Sequence, residues 1–520
     1  MKRVISPFSL LLSSISAIIG SGWLFSSYLT SKIAGPSAII SWLIGGFLMI
    51  IIAFVFAELC AMIPITGSSI RIPQFTHGTL VSYVFSWMIW LSYLSLAPTE
   101  VQAVLQYSSF YFPSLTNIHS GQLTTHGYIV AAFLMLFISL INMYSLNWLM
   151  KFNSIFTIFK IFIPIIIIAL IFSKNFSFQD IIHPENTIFM PFGWHGVVSA
   201  LSSGGIVFAF NGFKQAAEMA GEAKNPKRTL PFAIIGSVFI TMLIFLFLEM
   251  AFLVSLKPAN LVYGWKNLVL FNNENSPIAS ILQQLNLHFW LFLLYIGAII
   301  APLAAGLMYC GSASRSLYGM SKNGYIPKIF QKVTPQGNMF YAITANFFIG
   351  MFMFAPLPGW SNMIAFLTSL IAVTYSIGPV CLLTLRDKIP NQKRPFKLPF
   401  VYLWSYISFL IATFLTYWSS WNIIKKMDIG LFIGLIILFI YKILNKTTKI
   451  DFKSSIWIWP YFIGLSFISY IGSYGGKHLF STAWHEYFVL SIFCFIILWI
   501  SRIFSLDAKS IQKYVKKNLS

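Results

Sequence analysis

Ser16 to Phe25 reads SAIIGSGWLF, inside a stretch with no charged residue between Arg3 and Lys32. An uncharged run of that length is expected to cross a membrane as a helix. Its middle nevertheless carries Gly20, Ser21 and Gly22. Glycine costs about 1 kcal/mol relative to alanine in a helix interior, and a freed backbone amide in lipid costs several more. A helix that breaks here needs a partner for the groups it releases.

The stretch is one of many like it. Of 520 residues, 58% are hydrophobic and 9% charged, with a mean hydropathy of +0.78. No soluble domain of this size hides so much apolar surface. The uncharged runs predict spans near 7–31, 37–62, 79–107, 127–149, 153–173, 194–219, 231–256, 286–318, 339–356 and 361–385, with four weaker ones near 400–420, 429–445, 455–473 and 486–504. The expected fold is an all-α integral membrane protein of 12 to 14 transmembrane helices.

The formal charge of +21 is compatible with a nucleic-acid partner until the basic residues are placed. With the N-terminus inside, only Lys32, Lys174, Lys257, Lys266, Lys425, Lys426 and Lys477 fall outside, and Lys160 and Lys214 fall within spans. The remaining lysines and arginines share the side of the N-terminus. That asymmetry is the positive-inside pattern, so no nucleic acid is expected and both termini are read as cytoplasmic. The four cysteines, Cys60, Cys310, Cys381 and Cys494, lie in or beside apolar runs without a CxxC pair. Neither a disulfide framework nor a metal site is expected.

An internal echo carries more information than any span boundary. Span six reads SALSSGGIVFAFNGF from Ser199 to Phe213, with Ser202, Ser203, Gly204 and Gly205 at its middle. It follows span one by five crossings, so the two segments run in opposite directions. Paired glycine-interrupted spans at corresponding positions point to an inverted repeat with a binding site at the midplane. Close helix packing through small residues is the alternative for either segment alone.

FNGFKQAAEMAGEAKNPKRTLPFAI, from Phe210 to Ile234, is the strongest motif. Its shape follows from a span end, an Asn225-Pro226 turn and Pro231 opening the next helix. The string as a whole resembles the signature of amino acid permeases in the amino acid, polyamine and organocation superfamily. SAIIGSGWLF, AGPSAIISWLIGG (Ala34 to Gly46), FAELCAMIPITGSSIRIP (Phe56 to Pro73) and SASRSLYGMSKNG (Ser312 to Gly324) resemble it too, in family order across roughly residues 5 to 440. Within that superfamily the chain looks most like the aspartate-proton symporter type, through PTEVQAVLQY (Pro98 to Tyr107), RPFKLPF (Arg394 to Phe400), TYWSSWN (Thr416 to Asn422) and SYIGSYGG (Ser469 to Gly476).

The resemblance implies the leucine-transporter type of fold. Its core would occupy residues 1–386 as two inverted five-helix repeats, about 7–173 and 194–386, with accessory helices in 387–520. It also implies amino acid transport in a bacterial inner membrane, and the residues agree with that logic. Backbone N–H groups at Ile19, Gly20, Ser21 and Gly22 suit a substrate carboxylate, and carbonyls of Ser202, Ser203, Gly204 and Gly205 suit an α-ammonium group. Phe208 falls where family members place an aromatic lid over the substrate; a lipid-facing or packing ring, one of 52 phenylalanines, is its alternative role.

Charged residues within spans are the next candidates, because each is costly unless paired or wetted. Lys160, in FTIFKIFIP, stands where proton-coupled members carry a lysine in place of sodium, with Ser312 and Ser314 as expected neighbours. A fixed structural cation is its alternative role. Glu100 is a second proton-site candidate or a helix-helix hydrogen-bond donor. Lys214 bears on selectivity by favouring an acidic side chain, or else snorkels to the cytoplasmic face and pairs with Glu218. Glu249 is a weaker relative of Glu100, while Glu58 and Glu222, at cytoplasmic ends, are expected to pair with loop arginines and lysines.

No P-loop or dinucleotide fingerprint occurs, and His485-Glu486 lacks the second histidine of a zincin motif. Coupling to an ion gradient is therefore the expectation, the resemblance implying protons, with no cofactor, and an enzyme is not expected. An amino acid exchanger and a transport-inactive amino acid sensor are the alternatives.

Overall fold

The structure, a computed structural model, describes residues 3–117, 120–144, 146–174, 177, 179, 187–270, 276–335, 337–355, 359–445, 451–480 and 482–519. Among them the regular elements are all helices, and the β-type pairings are two isolated bridges, Ile5 with Ala223 and Thr116 with Leu123. The first ten helices are α1 (Pro7–Ile18), α2 (Gly22–Ala34), α3 (Ala38–Met62), α4 (Ser68–Ser108), α5 (Thr125–Asn142), α6 (Leu146–Lys174), α7 (Gly193–Ser203), α8 (Ile206–Phe210), α9 (Lys214–Glu218) and α10 (Pro226–Val254). The remainder are α11 (Pro277–Gln284), α12 (Leu291–Asn323), α13 (Phe340–Met351), α14 (Trp360–Tyr375), α15 (Ile377–Lys388), α16 (Val401–Tyr417), α17 (Trp421–Leu444), α18 (Ile458–Ile471), α19 (Ala483–Ile503) and α20 (Ala508–Leu519).

Ten helical stretches among the described residues are long and apolar enough to cross a membrane, or eleven when the bent pair 193–203 and 206–218 is one span. Pro7–Ile18, Phe340–Phe354 and Val401–Tyr417 are apolar but shorter. The protein is a multi-pass membrane protein. Its outer helices turn large apolar side chains outward, among them Phe133, Phe159, Phe432, Phe439 and Trp499. That surface is the reverse of a soluble protein's and fits a hydrocarbon solvent.

Local chemistry explains the boundaries. Ser6 caps α1, its Oγ accepting from the Ser9 amide at 3.1 Å, with Pro7 at the first helical position. α10 likewise opens on Pro226. Helix α4 runs 41 residues, too long for one crossing, and Gly78 interrupts it with φ 75° and ψ −165°, a conformation that favours glycine. The span expected from residue 79 therefore begins at a real break.

Distant segments cover that break. Thr79 N donates to Asp451 Oδ2 at 3.2 Å, Ser454 Oγ to the His77 carbonyl at 2.6 Å and Leu506 N to the Thr76 carbonyl at 2.8 Å. The segments after α17 and α19 thus supply hydrogen bonds that the interrupted helix lost. At the centre of the bundle, α1 packs against α6, α10 and α12, while α12 lies along α4 and α10 along α3.

Candidate functional site

Both glycine-interrupted spans are broken where their sequences differ from a helix. The first stops at Ile18 and resumes at Gly22; the second stops at Ser203 and resumes at Ile206 with a bend of 43°. Gly205 has φ 86° and ψ 8°, the left-handed region in which a glycine is at no disadvantage. The two broken spans cross closely. A Cβ on Gly212 would overlap the backbone of Ala17 and Ile18, and one on Gly22 would lie 3.2 Å from the Ala209 Cβ.

At the first break, each freed end has a charged partner. The Ser21 amide, at the start of α2, donates to Glu100 Oε2 at 2.7 Å. At the end of α1, Lys160 Nζ donates to the Ser16 carbonyl at 2.5 Å and to Ser16 Oγ at 3.1 Å, and Tyr309 donates its hydroxyl to the Ala17 carbonyl at 2.5 Å. An anion thus caps a helix N-terminus and a cation a C-terminus, the arrangement that the peptide dipoles favour. Glu100 and Lys160 are both buried and close enough to interact electrostatically. Among the described residues they do not form a direct ion pair.

Gly20 is part of the same construction, because a Cβ there would overlap the Glu100 carboxylate. Ser16 Oγ in turn donates a hydrogen bond to Asn153 Oδ1 at 2.6 Å. Direct hydrogen bonds therefore tie α6 to α1 on one side of the break and α4 to the start of α2 on the other. The expected neighbours of Lys160 are engaged elsewhere: Ser312 Oγ donates to Gln215 Oε1, and Ser314 Oγ donates to the Cys310 carbonyl at 2.9 Å.

The second break presents backbone more than side chains. Ser202 Oγ donates to the Leu415 carbonyl of α16 at 2.7 Å, and Ser203 is exposed. Gly205 borders α2 and α14: a Cβ there would meet Ser26 Oγ at 3.1 Å and the Trp360 ring at 3.9 Å. Ser26 Oγ and Asn211 Nδ2 are buried without a hydrogen-bond partner among the described residues. Unpartnered polar groups beside two helix breaks are what a polar ligand would satisfy.

Aromatic rings close the same region. Phe208 is buried and meets Trp360 edge-on at 5.9 Å, while Phe25 stacks on Trp360 at 4.5 Å and meets Tyr107 edge-on at 5.3 Å. Trp360 also donates its indole N–H to Ser21 Oγ at 2.8 Å. Neither Trp360 nor Tyr309 was legible as a site residue, since each lies about 300 residues along the chain in an ordinary apolar run. Their only local signal was aromatic residues within candidate spans, a feature common throughout this sequence.

Lys214 is fully withdrawn from solvent rather than snorkelling. Its ammonium donates to Thr374 Oγ1 at 2.7 Å and stands 4.6 Å from the Tyr375 ring centre. Glu218 interacts with it electrostatically but without a direct ion pair among the described residues. Glu249 sits apart, accepting from Ser31 Oγ at 2.9 Å, Thr30 Oγ1 at 3.0 Å and Trp42 Nε1 at 3.1 Å. Glu58 and Glu222 do pair with arginines, Arg386 at 2.7 Å and Arg315 at 3.1 Å, but both arginines stand on helices, α15 and α12, rather than in the expected loops. All four cysteines are free and buried.

Residues 5–441 match the family described as amino acid permease. The chain is 33% identical over 513 residues to the glutamate/serine transporter AimA of Bacillus subtilis, covering 96% of this chain and 93% of that one. It is 33% identical over 485 residues to the aspartate-proton symporter of the same organism, covering 91% of each. Among solved structures, a crystal structure of a mutant manganese transporter from Eremococcus coleocola superposes with a TM-score of 0.51 at 11% identity, covering 83% of this chain and 92% of that one. The last likeness concerns the fold alone.

Proposed function

This chain belongs to the amino acid permease family, and from that premise we propose that it carries an amino acid together with one or more protons by alternating access. The observation that carries the reading is the capping of one helix break by two opposite charges, Glu100 on the Ser21 amide and Lys160 on the Ser16 carbonyl. In the proposed cycle the substrate carboxylate takes over the Ser21 amide, beside that of Gly22, while Ile19 N and Gly20 N stay bonded to the Ile15 and Ile18 carbonyls at 2.8 and 2.9 Å, and Glu100 is released from Ser21 as it gains a proton. The α-ammonium group is held by carbonyls at residues 202–205, under Phe208. Lys160 holds the end of α1 while charge is redistributed beside it.

The proposed substrate has an acidic side chain. The names of the two Bacillus relatives support this, as does Lys214, a buried cation on the inner half of span six. The proposed location is the bacterial cytoplasmic membrane with both ends of the chain inside, supported by the distribution of lysine and arginine. Residues 7–173 and 194–386 are assigned as the two inverted repeats, and 387–520 as the accessory helices that brace them.

The test is flux into liposomes holding the purified protein, with radiolabelled aspartate, glutamate and serine. Uptake that needs only an inward proton gradient supports the proposal. Uptake that needs internal amino acid instead establishes an exchanger, and a ligand that binds without ever crossing removes transport altogether.

A further inference from the structure

A cleft of about 840 Å³ opens where the N-terminal segment, the connection after α9 and the loop after α15 converge, and it shares no residue with the two helix breaks. Its charged lining is entirely basic: Arg3, Lys224, Lys227, Arg228 and Lys393. All five are exposed, and none of their side chains has a hydrogen-bond or ion-pair partner among the described residues. The carboxylates nearest them in sequence are committed elsewhere, Glu222 to Nε and Nη2 of Arg315 and Asp387 to Arg502 and the Tyr402 hydroxyl, and Glu58, beside the wall residues Ala61 and Met62, holds Arg386 and the Leu398 amide.

The cleft is a built feature of the backbone. Val4 N and Ile5 N both donate to the Glu222 carbonyl, at 2.9 and 3.0 Å, and Lys224 N returns a hydrogen bond to the Ile5 carbonyl at 2.8 Å. Lys393 is held by its neighbour Arg394, whose guanidinium donates to the carbonyls of Leu385, Ile389, Pro390 and Gln392 at 2.6 to 3.0 Å. Lys227 and Arg228 lie in the first turn of the 29-residue α10, which carries no acidic residue there. Cations at the positive end of a helix are unfavourably placed. These two and three further cations, Arg3, Lys224 and Lys393, converge on one cavity, so the arrangement lacks a counter-anion.

The rest of the lining identifies the source of that anion. Ala61 and Met62, the last turn of α3, form part of the wall, so the cleft opens at the level where spans end and lipid headgroups begin. We propose that it holds the phosphate of an anionic phospholipid and thereby ties the segment before α1 to the connection after α9 and the loop after α15. The first two of those elements continue directly from the inner halves of the two broken spans. Occupancy would hold them together on this face.

The full-length protein in phosphatidylcholine nanodiscs, with and without phosphatidylglycerol, tests this by native mass spectrometry of retained lipid. A basic side chain near an anionic surface contributes about fivefold to affinity, so Lys227→Gln with Arg228→Gln lowers phosphatidylglycerol retention by about 25-fold. Lys393→Gln, on a different element, lowers it by about fivefold. Neutralising Lys513 and Lys516 on α20, exposed cations outside the cleft, leaves it unchanged and separates a local site from bulk charge. Size-exclusion profiles confirm that each variant is folded. Retention that is equal in all variants, or lost equally in the α20 control, overturns the proposal. So does displacement of the retained phosphatidylglycerol by millimolar inorganic phosphate, which identifies a free-phosphate site instead.

Discussion

The carboxylate of Glu100 holds the amide of Ser21 at 2.7 Å, across 79 residues of sequence and at the point where a membrane helix stops being a helix. A protein carboxylate therefore occupies the kind of site that a substrate carboxylate is proposed to use. On the other side of the same gap, Lys160 serves the carbonyl that α1 leaves behind. In the proposed cycle, protonation, backbone capping and substrate binding compete at a few neighbouring atoms.

Glu100→Gln preserves the shape of the side chain and an oxygen to accept from Ser21, so folding and membrane yield stay near wild type. Its charge and its proton site are gone. A charge-assisted hydrogen bond is worth about 1.5–3 kcal/mol, so proton-driven uptake falls by about tenfold or more. The remaining flux no longer rises as the external pH is lowered. An uptake profile against pH that overlays wild type would remove Glu100 from coupling.

Lys160→Ala leaves the Ser16 carbonyl without its ammonium donor inside the bundle. Gradient-driven accumulation should be abolished or uncoupled. Counterflow between equal internal and external substrate distinguishes the two roles, because it survives if Lys160 serves coupling and fails if the cation only holds α1 in place. Unchanged dependence on the proton gradient eliminates the residue from the mechanism.

Gly212→Ala tests how closely the two broken spans cross. Its new methyl would overlap the backbone of Ala17 and Ile18 rather than a movable side chain, so the helices must separate. Overpacking of this kind costs about 1–3 kcal/mol. A lowered unfolding temperature in detergent and a loss of uptake are expected together. Gly193→Ala is the comparison for space rather than for backbone angle, since a Cβ there meets nothing within 4 Å.

Lys214→Gln retains a donor for Thr374 and removes the buried charge. Competition against labelled substrate should then show aspartate and glutamate weakened relative to serine by about tenfold, the order expected for one charge-assisted contact. Equal losses for all three would assign Lys214 to holding α9 against α14 instead of selecting the side chain.

Much of this architecture is legible from local chemistry. Apolar length marks the spans, because lipid demands a paired backbone along the whole crossing. Gly20 to Gly22 and Ser202 to Gly205 stand out because small polar residues at those depths have no reason to be there in a plain helix. Glu58 and Glu222 announce a need for partners by their cost near the bilayer. Lys214 shows the limit of such reasoning: its sequence position allows snorkelling, and only the packed bundle shows it buried against Thr374 and Tyr375.

The sequence by itself determined that this is a membrane bundle, where two of its helices break and which charges must be answered for, since hydropathy and backbone cost are properties of a short stretch. The tertiary structure decided what answers them. Glu100, Lys160 and Tyr309 reach the first break from three other helices, Trp360 arrives from a fourth, and Asp451 and Ser454 complete the break at Gly78 from beyond the family-matched region. Such partners leave no periodicity in the chain. A freed amide or carbonyl specifies the kind of group it needs and nothing about which distant residue, brought near by packing, will provide it.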